Sequence, residues 1–173
     1  MADPVPAIDD FSSPHPAAAT GTAWELVSDR VMGGVSGGTM VREAVAGRVA
    51  LRMRGQVSLE NNGGFLQMAL DLAPDGKGID ATCWTGIALD VRGNGETYNM
   101  HLRTDDVERS WQSYRQSFEA GPEWLTVYLP FSGFLPHRLE APLDLASLRR
   151  IGLVAIGRAF EADLAVAEVH FYD

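Results

Sequence analysis

The feature that most constrains the fold of this chain is a set of short segments in which apolar and polar residues alternate. Residues 48–54 place Val49, Leu51 and Met53 on one face and arginines on the other. A period of two residues is that of a β-strand with one buried face. The same alternation, or a short apolar run, predicts strands at 39–43, 65–72, 86–92, 98–104, 113–118, 124–129, 151–156 and 164–171.

Turn signals separate these segments. Asn62-Gly63, residues 74–76 (Pro-Asp-Gly) and residues 93–95 (Gly-Asn-Gly) carry residue types that tolerate a positive φ, and we predict a hairpin at 93–95. One short helix is predicted at 144–150, with Asp144 as its N-cap. Many short strands and almost no helix predict an all-β fold, an antiparallel β-sandwich of the jelly-roll type.

The chain length of 173 residues suits one hydrophobic core. Residues 1–20 hold four of the nine prolines and show no sustained period. We therefore expect an irregular N-terminal arm over 1–20 and a single jelly-roll domain over 21–173.

Composition excludes several classes of function. A net charge of −9 argues against binding nucleic acid, which needs a basic surface. The single cysteine, Cys83, allows no intrachain disulfide and no thiolate metal cluster, and beside Trp84 it is predicted to be buried.

Targeting and membrane signals are equally sparse. No apolar run approaches the roughly 20 residues that span a bilayer, so the chain is not expected to be transmembrane. The first residues carry acids where a secretory signal carries bases. We expect a bacterial cytoplasmic protein, peripheral at the membrane, or a mitochondrial matrix protein from which a leader has been removed.

Residues 34–38 fit the G-x-S-x-G pattern of a hydrolase nucleophile, with Ser36 at its centre. That nucleophile requires a turn from a strand into a helix, whereas residues 39–43 continue as a strand. Residues 93–98 begin like a dinucleotide-binding loop, but Tyr98 replaces the third glycine and no helix follows. We therefore expect no catalytic residue and no enzymatic activity.

Metal-binding patterns are weak. The four histidines are scattered, and Asp105, Asp106 and Glu108 lack the glycine-containing loop of a calcium-binding hand. We expect no cofactor and no metal ligands, while a structural calcium ion held by backbone carbonyls stays open.

The polar positions of the predicted strands are rich in arginine for an acidic protein. If the central strands lie side by side, one outer face presents eight such residues: Arg52, Arg54, Gln67, Asp90, Arg92, Asn99, His101 and Arg103. Either this face is solvated and its charges pair across strands, or it recognises sugar hydroxyls or carboxylates of a protein. Trp111, which follows a polar run, is the best candidate for an exposed aromatic side chain.

Several blocks of sequence together carry a family resemblance. They are WELVSDRVMGGVS at 24–36, SLENNGGF at 58–65, VRGNG at 91–95, YRQSF at 114–118, LPF at 129–131 and IGL at 151–153. From Trp24 to the C-terminus the chain resembles the complex I intermediate-associated protein family, in which the position of Asn94 commonly holds an acid. The resemblance implies a galactose-binding-like jelly roll related to carbohydrate-binding modules. It also implies a non-enzymatic factor that assists assembly of a respiratory or photosynthetic membrane complex.

Our function hypothesis is therefore a non-catalytic domain that binds a protein partner, such as subunits or assembly intermediates of that complex. The alternative is a module that binds a glycan on its polar sheet face. We expect the glycine-rich loops at 29–38 and 61–64 to meet at one end of the sandwich. The candidate partner-binding residues are Asp29, Arg30, Met32, Gly33, Gly34, Ser36, Asn61, Asn62, Arg92, Asn99, His101, Arg103 and Trp111.

Overall fold

The computed structural model describes residues 7–173, without the side chains of Met32 and Asn62, and contains two antiparallel sheets around one core. The strands are β1 (Ala7–Asp9), β2 (Glu25–Ser28), β3 (Gly37–Val45), β4 (Arg48–Val57), β5 (Phe65–Asp71), β6 (Gly86–Gly93), β7 (Thr97–Thr104), β8 (Ser113–Glu119), β9 (Leu125–Pro130), β10 (Leu135–His137), β11 (Leu148–Ile156) and β12 (Phe160–Tyr172). The all-β prediction is confirmed, and every predicted strand segment overlaps a strand.

We call the two layers the back sheet and the front sheet. The back sheet has the order β3-β4-β12-β6-β9, with β1 also pairing with β12. The front sheet has the order β10-β8-β7-β11-β5-β2. Alternate residues of both sheets fill the space between them, among them Leu51 and Met53 from the back sheet and Met68 and Met100 from the front sheet, all fully buried. The strand residues that alternate with these buried ones point away from the core, so each sheet has its own outer face.

Helical structure in the described chain is limited to four single 3-10 turns, at Asp29–Met32, Glu60–Asn62, Phe131–Gly133 and Leu145–Ser147. None of them has the length or the apolar character that a membrane-spanning helix needs. The helix predicted at 144–150 is shorter than expected. Asp144 does cap it, accepting a hydrogen bond from the Ala146 N–H at 3.0 Å, but Arg149 and Arg150 already belong to strand β11.

The predicted hairpin at 93–95 is wrong, because β6 and β7 belong to different sheets. The connection instead crosses from the back sheet to the front sheet. Asn94 ties it down: its amide donates to the Glu161 carbonyl (2.9 Å) and accepts from the Tyr98 hydroxyl (2.6 Å), whose ring is fully buried. An acid at this position would lack the amide donor for the Glu161 carbonyl.

Residues 7–11 of the expected N-terminal arm take part in the core. Strand β1 pairs with β12, and Ile8 and Phe11 are buried. The buried Asp9 carboxylate accepts hydrogen bonds from the Trp24 indole N–H (2.7 Å) and from the Phe11 N–H (3.0 Å). Moving residues 7–11 away from the sandwich would break the hydrogen bond between Asp9 and Trp24. Because a buried carboxylate without hydrogen bonds is costly, these contacts hold residues 7–11 in place. Cys83, predicted to be buried, is exposed.

Candidate functional site

The outer face of the front sheet is concave and forms a groove of about 620 Å³. Strands β2, β5, β7, β8, β10 and β11 all contribute side chains to it. The pairing register divides the groove lengthwise. Arg150, Arg103 and Asp71 lie in one row, His101, Gly152 and Ala69 in the next, and Asn99, Val154 and Gln67 in the row after that. We call the Arg150 end the cationic half and the Val154 end the aliphatic half.

Two arginines define the cationic half. Arg103 lies on β7 and Arg115 on β8, and both are partly buried. Arg115 Nε donates to the Ser113 hydroxyl at 2.9 Å, and an Arg103 terminal nitrogen donates to the Arg109 carbonyl at 3.3 Å. Within residues 7–173, no carboxylate forms an ion pair with either guanidinium.

Burial and the nearby Arg149 and Arg150 lower the pKa of Arg103. Burial and Arg138 lower the pKa of Arg115 in the same way. An arginine stays protonated at neutral pH even with a lowered pKa, so both remain charged. The cationic half therefore holds positive charge that an anion would stabilise.

Arg150 is different, because it is neutralised by the protein itself. It lies 2.8 Å from Asp71 and 2.8 Å from Glu25. Burial opposes its charge, but the hydrogen bonds to the two carboxylates prevail and raise its pKa. Arg150 is thus held in place, while Arg103 and Arg115 stay available.

His101 lies in the middle row of the groove, opposite Gly152 on β11 and opposite Arg115 on β8. Burial, Arg115 and His137 lower the pKa of His101 to about 3, so its imidazole is neutral at physiological pH. Its Nε2 is buried and has no hydrogen-bond partner in the described chain. Such an orphaned polar atom favours a ligand or ordered water in the groove.

The aliphatic half is lined by Val27, Val154 and Ile156, with Phe65 and Leu59 beside them. Between the halves, Gly152 leaves the floor without a side chain. A Cβ there would overlap the Gln67 side-chain amide, which lies across the glycine. The absence of a side chain at Gly152 makes room for the Gln67 side chain between the two halves.

A buried hydrogen-bond network around Asp29 holds the two glycine-rich loops together. The Asp29 carboxylate accepts from the Ser36 N–H (2.9 Å), the Ser36 hydroxyl, the Gly64 N–H and the Phe65 N–H (3.2 Å). Burial alone would raise the pKa of this carboxyl, but these hydrogen bonds outweigh it and lower the pKa. The loops therefore meet at one end of the sandwich, as we hypothesised.

The network also leaves no room at Gly34 and Gly63, where a Cβ would collide with the Asp29 carboxyl group. The loops that this network holds together also form the rim of the groove. Val31 is 74% exposed and Leu59 is 52% exposed, and both line the aliphatic half. Ser36 is fully buried, and its hydroxyl bonds to Asp29 and to the backbone of Ser58. A hydroxyl in that position holds loops together and is closed to substrate.

The predicted site residues fall into three places: the front sheet, the two glycine-rich loops and, for Arg92, the back sheet. Asn99, His101, Arg103 and Trp111 lie on the outer face of the front sheet or its rim, with Trp111 54% exposed and the Arg109 guanidinium 5.9 Å from its ring. Asp29, Gly34 and Ser36 are buried, Gly33 and Asn61 are exposed, and Arg30 is an exposed residue whose Nε donates to the Ser36 carbonyl (2.9 Å). The side chains of Met32 and Asn62 lie outside the described part of the chain.

Arg92 is not part of the groove. The single polar face that we considered is divided between the two sheets: Arg52, Arg54, Asp90 and Arg92 lie in the back sheet, and Gln67, Asn99, His101 and Arg103 lie in the front sheet. The prediction of a single polar face was wrong because the connection at 93–95 crosses from the back sheet to the front sheet.

Sequence reasoning did not single out Arg115, Arg150, Gly152 and His137 as site residues. The alternation of Ser113, Arg115 and Ser117 could have placed Arg115 on an outer face. Nothing in the local pattern shows that Arg115 lies opposite His101. That neighbourhood is a product of strand pairing.

Metal binding finds no support in the described residues. No three His, Cys, Asp or Glu side chains within residues 7–173 lie close enough to share a metal ion. Asp105, one of the acids considered for calcium, accepts a hydrogen bond from the Gly78 N–H at 3.1 Å.

Solved structures with a similar fold include carbohydrate-binding modules. The chain is similar to the family 11 carbohydrate-binding module of the cellulosomal cellulase Lic26A-Cel5E of Clostridium thermocellum, with a TM-score of 0.73 and 16% identity over 96% of this chain and 92% of that one. It is also similar to a family 30 carbohydrate-binding module, with a TM-score of 0.62 and 14% identity over 86% of this chain and 82% of that one. These likenesses establish that the chain shares the β-sandwich fold of those modules.

The family is shown by the sequence itself. The family model for Complex I intermediate-associated protein 30 (CIA30) matches residues 10–166, so the chain belongs to the CIA30 family. The resemblance found from the sequence blocks is thereby confirmed. No curated protein is a significant match to the full sequence.

Proposed function

We propose that this chain is a non-catalytic binding domain that holds a protein partner in the front groove. In this role it assists assembly of a respiratory complex of the complex I type, or of a photosynthetic membrane complex, from a position beside the membrane. The observation that carries the proposal is the pair Arg103 and Arg115, two charged guanidiniums in a groove without carboxylate partners among residues 7–173. The description of the family supports the choice of complex.

The chemistry of the groove supports binding over catalysis. A general base works best when its pKa lies near the working pH, and an imidazole with a pKa of about 3 is too weak a base. The serine of the G-x-S-x-G pattern is buried and committed to the Asp29 network. The groove is a concave surface with hydrogen-bond donors such as Arg103 and Arg115, and such a surface suits the binding of a partner.

Affinity purification from the native organism tests this proposal. Tagged wild-type protein should recover subunits or assembly intermediates of the membrane complex after mild crosslinking. The double variant Arg103→Gln/Arg115→Gln should recover few of them, because it removes both charges from the groove. Arg92→Gln removes a charge from the back sheet and is the matched control. Recovery of no complex subunit in any growth condition, or equal recovery by all three proteins, would contradict the proposal.

A second candidate function, binding of a glycan, is favoured by one specific observation. Trp111 is 54% exposed at the rim of the groove, where an indole ring can stack on a sugar. One of the structural neighbours is a family 11 module in complex with a β-1,3-1,4-mixed-linked tetrasaccharide. Titration with such an oligosaccharide, followed by tryptophan fluorescence, separates the two candidates. Saturable quenching that Trp111→Ala abolishes would favour the glycan.

A further inference from the structure

The two halves of the groove set a distance between two kinds of ligand group. Arg150 and Val154 lie four residues apart on β11, and Arg103 and Asn99 lie opposite them on β7. At about 3.3 Å per residue, the cationic and aliphatic halves are centred about 13 Å apart. A ligand that fills both must therefore carry two different groups at that separation.

The cationic half calls for an anion with planar geometry. Arg103 Nε is buried and has no partner among the described residues, and Arg103 lies beside Arg149 and Arg150. A guanidinium binds a carboxylate through two parallel hydrogen bonds, which relieves both the missing partner and the repulsion between cations. Asp71 and Glu25 are engaged by Arg150, so the carboxylate must come from the ligand.

The aliphatic half calls for a branched apolar side chain. Its floor is Val154 with Val27 and Ile156, and its rim is Val31 and Leu59. A polysaccharide is held chiefly by aromatic stacking, whereas the aliphatic half presents mainly valine, leucine and isoleucine side chains, with Phe65 beside them. These side chains fit the leucine or isoleucine of a peptide better than the hydroxyl-bearing face of a sugar.

We infer that the groove holds an extended segment of the partner protein in which an Asp or Glu lies four positions from a Leu, Ile or Val. In an extended chain, residues four apart point to the same side and are about 13 Å apart, so one segment lying along β11 reaches both halves. The carboxylate binds Arg103, the charge of Arg115 lies one row further along the groove beside His101, and the apolar side chain packs on Val154 between Val31 and Leu59. This inference rests on the proposed function and names the chemistry of its partner.

Synthetic peptides of about ten residues, which span about 33 Å when extended, test the inference with purified protein. The probe peptide carries one Glu and one Leu four positions apart in a Gly/Ser background and bears a fluorophore for polarisation measurements. Three comparison ligands follow: a Gln version, a version with the two residues three positions apart, and an oligogalacturonate. We expect saturable binding of the probe peptide, and binding of both altered peptides that is weaker by about tenfold or more.

Protein variants locate the binding. Arg103→Gln/Arg115→Gln should weaken the probe peptide by at least about tenfold, while Arg92→Gln leaves its affinity unchanged. Leu59→Ser alters only an exposed rim residue, and it should weaken the Leu-containing probe without affecting the fold. Far-ultraviolet circular dichroism and thermal unfolding confirm that each variant is folded.

The outcomes separate this inference from the proposed function. If the probe peptide does not bind, while tagged protein still captures complex subunits through Arg103 and Arg115, the ligand chemistry is wrong and the proposed function stands. If subunit capture also fails, both the inference and the proposed function are wrong. Tighter binding of oligogalacturonate than of peptide overturns the inference in favour of an acidic glycan. Peptide binding that is equal in wild type and Arg103→Gln/Arg115→Gln overturns the groove as the site.

Discussion

The two outer faces of the sandwich both carry arginines, but the arginines differ in their partners. On the back sheet, Arg52 lies 2.8 Å from Asp163 and 3.1 Å from Glu43, and Arg48 lies 2.9 Å from Asp90. On the front sheet, Arg103 and Arg115 form no ion pair within the described residues. Arg52 and Arg48 therefore stabilise the back sheet, whereas Arg103 and Arg115 remain free for a ligand on the front sheet.

The back face is also filled. Trp124 packs against a buried cluster of Val45, Ala50, Ala165 and Ala167, and the Arg48 guanidinium lies 5.0 Å from its ring. The outer face of the front sheet instead carries the groove, which Gly152 and its neighbours line. Whether an arginine can bind a ligand thus depends on whether the fold already gives it a carboxylate partner and packs side chains around it.

The largest effect is expected at the loops that carry the rim of the front groove. Asp29→Ala removes the acceptor for the backbone N–H groups of Ser36, Gly64 and Phe65 and leaves them buried. We expect a loss of about 3 kcal/mol in the free energy of unfolding, measured by urea denaturation. Asp80→Ala, an exposed acid in a local turn, is the control and should cost far less. Equal losses would show that the network contributes little.

The next effect is a pH dependence that arises from the front face. The pKa of His101 is about 3 in the folded protein against 6.5 as the ordinary value, so the unfolded chain binds a proton between these values while the folded chain does not. Stability therefore falls as pH is lowered below about 6.5, by up to about 1.4 kcal/mol per pH unit from this group. Urea denaturation at pH 7 and pH 5 should show the loss in wild type and a smaller loss in His101→Gln. An identical slope in both proteins would mean that His101 charges freely when folded.

The direct comparison of the two faces uses one substitution on each. Arg52→Met breaks a bidentate pair with Asp163 and leaves Glu43 with only Arg54 at 4.0 Å, so it should destabilise by about 1–2 kcal/mol. Arg103→Met removes a crowded and unpaired charge, so it should leave stability unchanged or raise it by up to about 1 kcal/mol. Thermal unfolding of both variants measures the contrast. A loss at Arg103 as large as that at Arg52 would break the comparison.

The smallest effect is expected at Arg92. It lies on the back sheet opposite Ala165 and forms no ion pair within residues 7–173. Arg92→Gln should change stability by less than about 0.5 kcal/mol, as is usual for a surface substitution. The same thermal measurement checks it, and a larger loss would mean that this arginine has a structural partner.

Much of the architecture followed from the sequence. The alternation in β4, β5, β6 and β7 predicted their positions and their buried faces, because a strand with one face in the core exposes every second residue. The loops at 29–38 and 61–64 were expected to meet, and the hydrogen bonds of Asp29 to the Ser36 and Gly64 N–H groups join them. The hairpin at 93–95 failed because turn residues specify a local reversal and say nothing of which strands then pair.

The sequence by itself determined which side of each strand is buried, the choice of an all-β fold and the family. Only the tertiary structure decided that Arg103 and Arg115 share a groove and that Arg92 lies on the opposite face. It also decided which arginines meet a carboxylate, as Arg150 meets Asp71 and Glu25. The physical reason is that alternation is a property of one strand, whereas a site depends on register and pairing between strands far apart in the chain.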